Sequence, residues 1–241
     1  NMKIFSRLLE ETGFADSMSL VRDEDYETNH PEYGPNLDKS AEIPNPDHRY
    51  YGFTAFVETD SVFMEQWGCS APEYKSDVFV NWESVFAVIK EQCQRAYPDA
   101  KAEDLKDPNN AVHQFVAYHI VPARMSWEKM VIHQVEMGYG YSNPNNLTID
   151  CHEYYETLGG YHRLMKISEG RQTDGKRINR HCTYDRDTYD ELLVDREGVK
   201  ILPDNGRVAN NALNGFYYPI DEVLVYDDDV PNVVLNERIR W

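Results

Sequence analysis

A mixed α+β fold is what this chain predicts, and three observations carry it. Helical apolar spacing is concentrated from Asp60 to about Glu136, strand-like alternation dominates after Tyr161, and no internal repeat of about 20–50 residues runs through the chain. Helices grouped early and strands grouped late argue against the regular strand–helix alternation of a parallel α/β sheet. With 241 residues, 41% of them apolar, the chain can bury a substantial core.

The elements follow in order. Phe5, Leu8 and Leu9 share one face of a first helix, and Gly13 is placed to end it. Residues 23–48 hold Pro31, Gly34, Pro35, Pro44 and Pro46 with no sustained period, which predicts a long connection. Phe53, Ala55 and Val57 then alternate with Thr54, Phe56 and Glu58 as a strand does. Thr59 and Asp60 carry oxygens able to accept from a first helical turn, and Val62, Phe63 and Trp67 follow at helical spacing. Asn81 is placed to cap a helix with Val85, Phe86, Ile89 and Cys93 on one face, ended by Pro98. Asn110 is placed to cap the next, striped by Val112, Phe115, Val116 and His119. Ser126 is placed to cap a third, carrying Trp127, Met130, Val131 and Gln134.

Strands are expected at Tyr161–Ile167, paired with Ile178–Thr183 across a turn, and near Val199–Leu202. The closing strand is expected at Tyr218–Val225. The acidic run Asp227-Asp228-Asp229 is expected to be solvated and to end pairing.

Four of these stretches resemble one family. Phe53 to Phe63 is similar to the first signature box of the fasciclin domain family, an aromatic-Thr-apolar-Phe strand leading into Thr-Asp-x-x-Phe. Phe5 to Gly13 resembles its first helix. Phe115-Val116-Ala117-Tyr118-His119-Ile120-Val121-Pro122 resembles its tyrosine-histidine motif, and Asn214 to Leu224, with Ile220-Asp221-Glu222-Val223-Leu224, its second box. The resemblance implies a wedge-shaped β-sandwich with a layer of helices, forming one domain over residues 2–226. Insertions at about 23–48 and 125–156 would enlarge it, and residues 227–241 would extend toward a following segment. Asn1 before Met2 and the strand-like stretch ending at Trp241 fit a piece of a longer protein.

The same resemblance implies a non-enzymatic adhesion or binding module, extracellular or on a cell envelope and needing no cofactor. Its partners would be surface or matrix proteins or glycans, with membrane attachment only through an anchor outside this sequence. It assigns the binding region to Tyr118, His119, Ile120 and Val121, and the frame to Thr59, Asp60, Asn214, Gly215 and Asp221. From its own chemistry, a histidine at the end of an apolar helix face is expected to pack, with a ring nitrogen bonded to backbone. Tyr139 and Tyr141, beside Gly140 in a loop rich in Gly, Asn and Pro, are added as exposed binding aromatics. Glycan capture in a surface uptake system is the alternative, through the tyrosines of the insertions.

Charge narrows the partners further. A net charge of −18 repels phosphate backbones. The basic stretch Lys166, Arg171, Lys176, Arg177 and Arg180 lacks interleaved aromatics and reads as solvated strand and turn, so no nucleic-acid partner is expected. Cys69, Cys93, Cys151 and Cys182 are too widely spaced to define a bridge, and Cys93 reads as a small buried thiol.

Positive signs of catalysis are weak. His152-Glu153-Tyr154-Tyr155-Glu156 has Glu156 where a zinc pair needs its second histidine, and Asp185-Arg186-Asp187-Thr188-Tyr189-Asp190-Glu191 lacks the turn glycine of a calcium loop. Phosphate-loop and serine-elbow motifs are missing. A hydrolase using two of Asp60, Glu153, Glu156 and Asp221 is the remaining enzyme reading.

Overall fold

The computed structural model describes residues 2–29, 50–131, 151–159, 163–169, 175–184, 191–202, 211–212 and 214–227. Residues 30–49, 132–150, with Tyr139 and Tyr141, and 228–241 lie outside them, as does Arg171.

The architecture is mixed α+β. Helices α1 (Lys3–Glu11), α2 (Phe14–Ser19) and α3 (Glu24–Asn29) precede strand β1 (Phe53–Glu58), which runs into α4 (Asp60–Trp67). A small hairpin, β2 (Tyr74–Lys75) and β3 (Val78–Phe79), leads to α5 (Trp82–Ala96), α6 (Ala111–Tyr118) and β4 (Ile120–Val121). Thereafter come β5 (Cys151–Glu156), β6 (Leu164–Glu169), β7 (Arg177–Ile178), β8 (His181–Tyr184), β9 (Glu191–Arg196), β10 (Val199–Lys200), β11 (Asn211–Ala212) and β12 (Gly215–Ile220).

One four-stranded sheet has the order β11-β12-β1-β4, the other β10-β7-β6-β5. An isolated bridge between Ile201 and Ile220 ties them together. All six residues of β1 are buried because the strand is covered on both faces. Phe53, Ala55 and Val57 pack with α1, α4, α5 and α6, while Phe56 joins a second cluster with Met165, Ile167, Ile178 and Tyr218. The predicted alternation of β1 thus separates two cores.

Several local expectations are revised by tertiary contacts. Ile178–Thr183 does not pair as one strand with β6: β7 does, and β8 instead pairs with β9. Between them Asn179 takes a left-handed conformation, φ 56°, which asparagine tolerates better than most residues. The closing strand runs Gly215–Ile220 rather than Tyr218–Val225, since the amides of Val223, Leu224 and Tyr226 bond side chains instead of a ladder. Ser126 precedes only a 3₁₀ turn, Trp127–Lys129, and its side chain makes no cap bond. Asn110 does cap α6, its Oδ1 accepting from the amides of Val112 and His113.

Lys166, Lys176 and Arg180 are buried, not solvated. The reason is sheet packing with local compensation: Lys176 pairs with Glu169 and lies over the Trp127 ring, and Lys166 lies over Tyr154. Asp227, too, is paired, with Arg196. Among the described residues, no helix is long and apolar enough to cross a membrane.

Gly215 is required by the parallel pairing of β1 with β12, in which it faces Phe53. A Cβ there would lie 2.0 Å from the Phe53 carbonyl oxygen, a backbone atom that cannot step aside. Gly215→Ala is therefore expected to cost about 3 kcal/mol or more, at the upper end of overpacking penalties. An unchanged urea midpoint would refute this register.

Candidate functional site

Tyr118 and His119 end one helix, yet they serve different cores. Tyr118 belongs to the second cluster, where its hydroxyl donates to the Leu164 carbonyl at 3.0 Å and accepts from Asn179 Nδ2 at 2.9 Å. Burial pushes its phenol well above the ordinary range, so it is a neutral brace between α6 and the second sheet. His119 sits at the C-cap of α6 and is fully buried. Its ring contacts Phe115 and Phe5, with centroids 4.5 and 5.1 Å away.

Both nitrogens of His119 are engaged. Nδ1 lies 2.7 Å from the Phe115 carbonyl, and Nε2 lies 2.7 Å from Glu58 Oε1. A carbonyl can only accept, so Nδ1 carries a hydrogen. One more proton then occupies the Nε2 to Oε1 contact, and the pair is neutral overall whichever atom holds it. That neutrality matters because a lone buried charge costs several kcal/mol even after relaxation. Glu58 Oε1 also accepts from the Leu224 amide at 3.0 Å, while Oε2 is buried without a hydrogen-bond partner.

Asp60 supplies a second long-range bond. It was expected with Thr59 to cap its own helix, but the side chain of Thr59 makes no cap bond. Asp60 is the first residue inside α4, and its Oδ1 accepts from the amide of Ile4 at 2.9 Å, capping α1 instead. The negative charge is placed at the positive end of that helix. Similarly, Asn81 turns away from α5 and clamps the hairpin root, accepting from the Glu73 amide and donating to the Ala71 carbonyl.

The remaining frame residues also bind backbone. Asn214 Nδ2 donates to the carbonyls of Met18 and Leu20, and Asp221 Oδ1 accepts from the Lys200 amide. Ile120 and Val121 are buried in the short strand beside β1. The described part of the expected binding region, Tyr118 to Val121, therefore lies inside the molecule. Any role in binding passes through the surface it supports.

Glu58 is the residue that sequence reasoning left without a role. Its signal was a carboxylate inside an otherwise buried strand, which demands a partner. Only the fold reveals that the partner lies 61 positions away.

The carboxylates considered for hydrolysis are scattered in role. Asp60 and Asp221 are each bonded to a backbone amide, and Glu153 and Glu156 lie on β5. Among the described residues, no group of three or more His, Cys, Asp or Glu side chains is arranged to hold a metal ion. Cys69 and Cys93 are free and buried. Burial raises the Cys69 thiol to about 11, and burial followed by the nearby Glu58 and Cys69 raises Cys93 further above its ordinary value.

Two measurements check this account. Glu58→Gln is expected to cost about 3 kcal/mol by urea unfolding, the scale of losing one partner of a buried pair. If the amide oxygen faces Leu224, His119 must hold an unneutralised charge; if the amide nitrogen does, two donors collide. A loss below about 1 kcal/mol would refute the shared-acceptor geometry. Iodoacetamide at about pH 8 is expected to leave Cys69 and Cys93 unlabelled until the chain is unfolded, because the thiolate is the reactive form. Rapid labelling of either in the folded chain, read by peptide mass spectrometry, contradicts their burial.

The chain matches no protein-family model, no curated protein and no solved structure. Its function therefore rests on the chemistry of its own residues.

Proposed function

We propose that this chain is a non-enzymatic binding module with a fasciclin-type, wedge-shaped sandwich, displayed outside the cell or on its envelope, and that it recognises protein or glycan partners. One observation carries the reading. The four stretches that resemble the fasciclin pattern meet at a single buried node: His119 touches Phe5, bonds Glu58, and through Glu58 reaches Leu224. A family motif of this kind makes physical sense as a joint, because Glu58, His119 and the Leu224 amide each leave a buried polar group stranded if another is lost, while Phe5 packs on the imidazole.

The reading assigns binding to surface built over that joint, with Tyr118, His119, Ile120 and Val121 as its support. It requires no cofactor. The acidic balance of −18 favours partners with basic or neutral surfaces over polyanions.

The test is a screen of the full chain against immobilised matrix proteins and glycans. Binding to at least one class is expected, and failure on both removes the module reading. For any partner found, His119→Ala is expected to lower stability by about 2–4 kcal/mol and to weaken binding together with it. Stability retained with binding abolished would instead make His119 a direct contact.

A further inference from the structure

A groove of about 990 Å³ runs between α1, the β2–β3 hairpin and the sheet formed by β1, β11 and β12. Its floor is Phe53, Ala55 and Val57. Along one rim the hairpin holds Tyr74, Val78 and Val80, which are 40%, 62% and 52% exposed. Those are three of the six large apolar side chains exposed among the described residues, all within one short hairpin. A concentration of this kind marks a contact surface more often than scattered exposure does.

The rim is built to hold its place. Ser76 and Asp77 both take positive φ, 49° and 64°, the conformation of a tight two-residue hairpin turn. Asn81 clamps the root through Glu73 and Ala71, and Phe79 packs on Trp82 at 5.2 Å. Neither valine is drawn into the core by this arrangement.

Charge selects the occupant. Of the two cations lining the groove, Arg7 is paired with Glu10 and Glu11, and Lys3 lies 3.9 Å from the centroid of the Tyr74 ring. Asp77 and Glu83 also line it, are exposed, and have no cation partner among the described residues. Lys3 keeps its charge over that ring, yet Glu10, Asp77 and Glu83 outnumber Lys3 and Arg7 along the lining, so the groove is net negative, as is the whole chain. A ligand confined to the floor would leave Val78 and Val80 in water, whereas an extended chain lying along the hairpin covers them.

We propose that this groove takes an extended peptide segment of a partner protein in which apolar side chains alternate with lysine or arginine. The inference rests on the binding-module reading and gives that module its protein-contact site. Apolar side chains enter the groove, and the basic ones meet Asp77 and Glu83 at its edge.

Fluorescein-labelled peptides of alternating leucine with lysine, with glutamate or with serine test it by anisotropy on the full chain. The lysine peptide is expected to bind and the glutamate peptide to fail. Two surface variants, Val78→Asp with Val80→Asp, and Asp77→Asn with Glu83→Gln, the latter keeping a residue that tolerates the turn's positive φ, are each expected to weaken binding at least about tenfold, the loss of one good contact. Glu91→Lys, on α5 and outside the groove, is expected to leave it unchanged. Equal loss with Glu91→Lys, or none with the groove variants, overturns the proposal in favour of unspecific attraction to an acidic chain. A dimer of the free chain in sedimentation that Val78→Asp with Val80→Asp dissolves overturns it by assigning the groove to a second copy. Protection of the Val78 and Val80 methyls from a soluble paramagnetic agent in the free chain overturns it by assigning the groove to another segment of the same chain. A partner from the protein and glycan screen that binds wild type and both groove variants alike removes the groove and leaves the module; a screen with no partner removes the module itself.

Discussion

The contact between Glu58 and His119 is the constraint on which the rest of the structure depends. It joins the end of β1 to the end of α6, and through the Leu224 amide it fixes the chain that follows β12. In water such a bond is worth little net, because both groups have solvent partners. Buried, it is costly to break from either side. The same carboxylate that would be a defect in an apolar strand thereby becomes a specifier of how three distant segments meet.

Around it the molecule repeatedly uses side chains to finish backbone left open by secondary structure. Asp60 caps a helix that is not its own, Asn214 holds carbonyls at the C-terminal end of α2, and Asn81 closes the hairpin root. Residues 223, 224 and 226 give their amides to Gln66, Glu58 and Tyr97, so the strap after β12 is attached to α4, β1 and the C-cap residue of α5 in turn. These bonds span large sequence separations. They let a frame with short strands hold its elements in one arrangement without a long ladder.

That division of labour bears on function. The residues with the most conspicuous chemistry, Tyr118, His119, Glu58 and Asp60, are occupied by neighbours within the chain and sit in its interior. What the described surface offers outward is instead an apolar hairpin beside a groove with unpaired carboxylates. An interior that holds an outward-facing rim in place suits the proposed binding module, since binding residues gain precision from a scaffold they do not have to build.

Much of this was legible along the chain because it depends on local period and local caps. The alternation of Phe53 to Glu58, the helical stripe of Val85, Ile89 and Cys93, and the Asn110 cap are all set by residues within a few positions of one another. The mixed α+β class follows from them. Partnership across the fold was not legible. Asp60 looked like the cap of its own helix because the amide it binds is 56 residues away, and Glu58 had no visible partner because His119 lies 61 away. The basic stretch looked solvated because its compensation, the Trp127 ring and the Tyr154 ring, comes from other elements. Periodicity tells which face of an element is apolar. Which buried polar group will meet which is decided only when packing removes water and leaves each donor to find an acceptor.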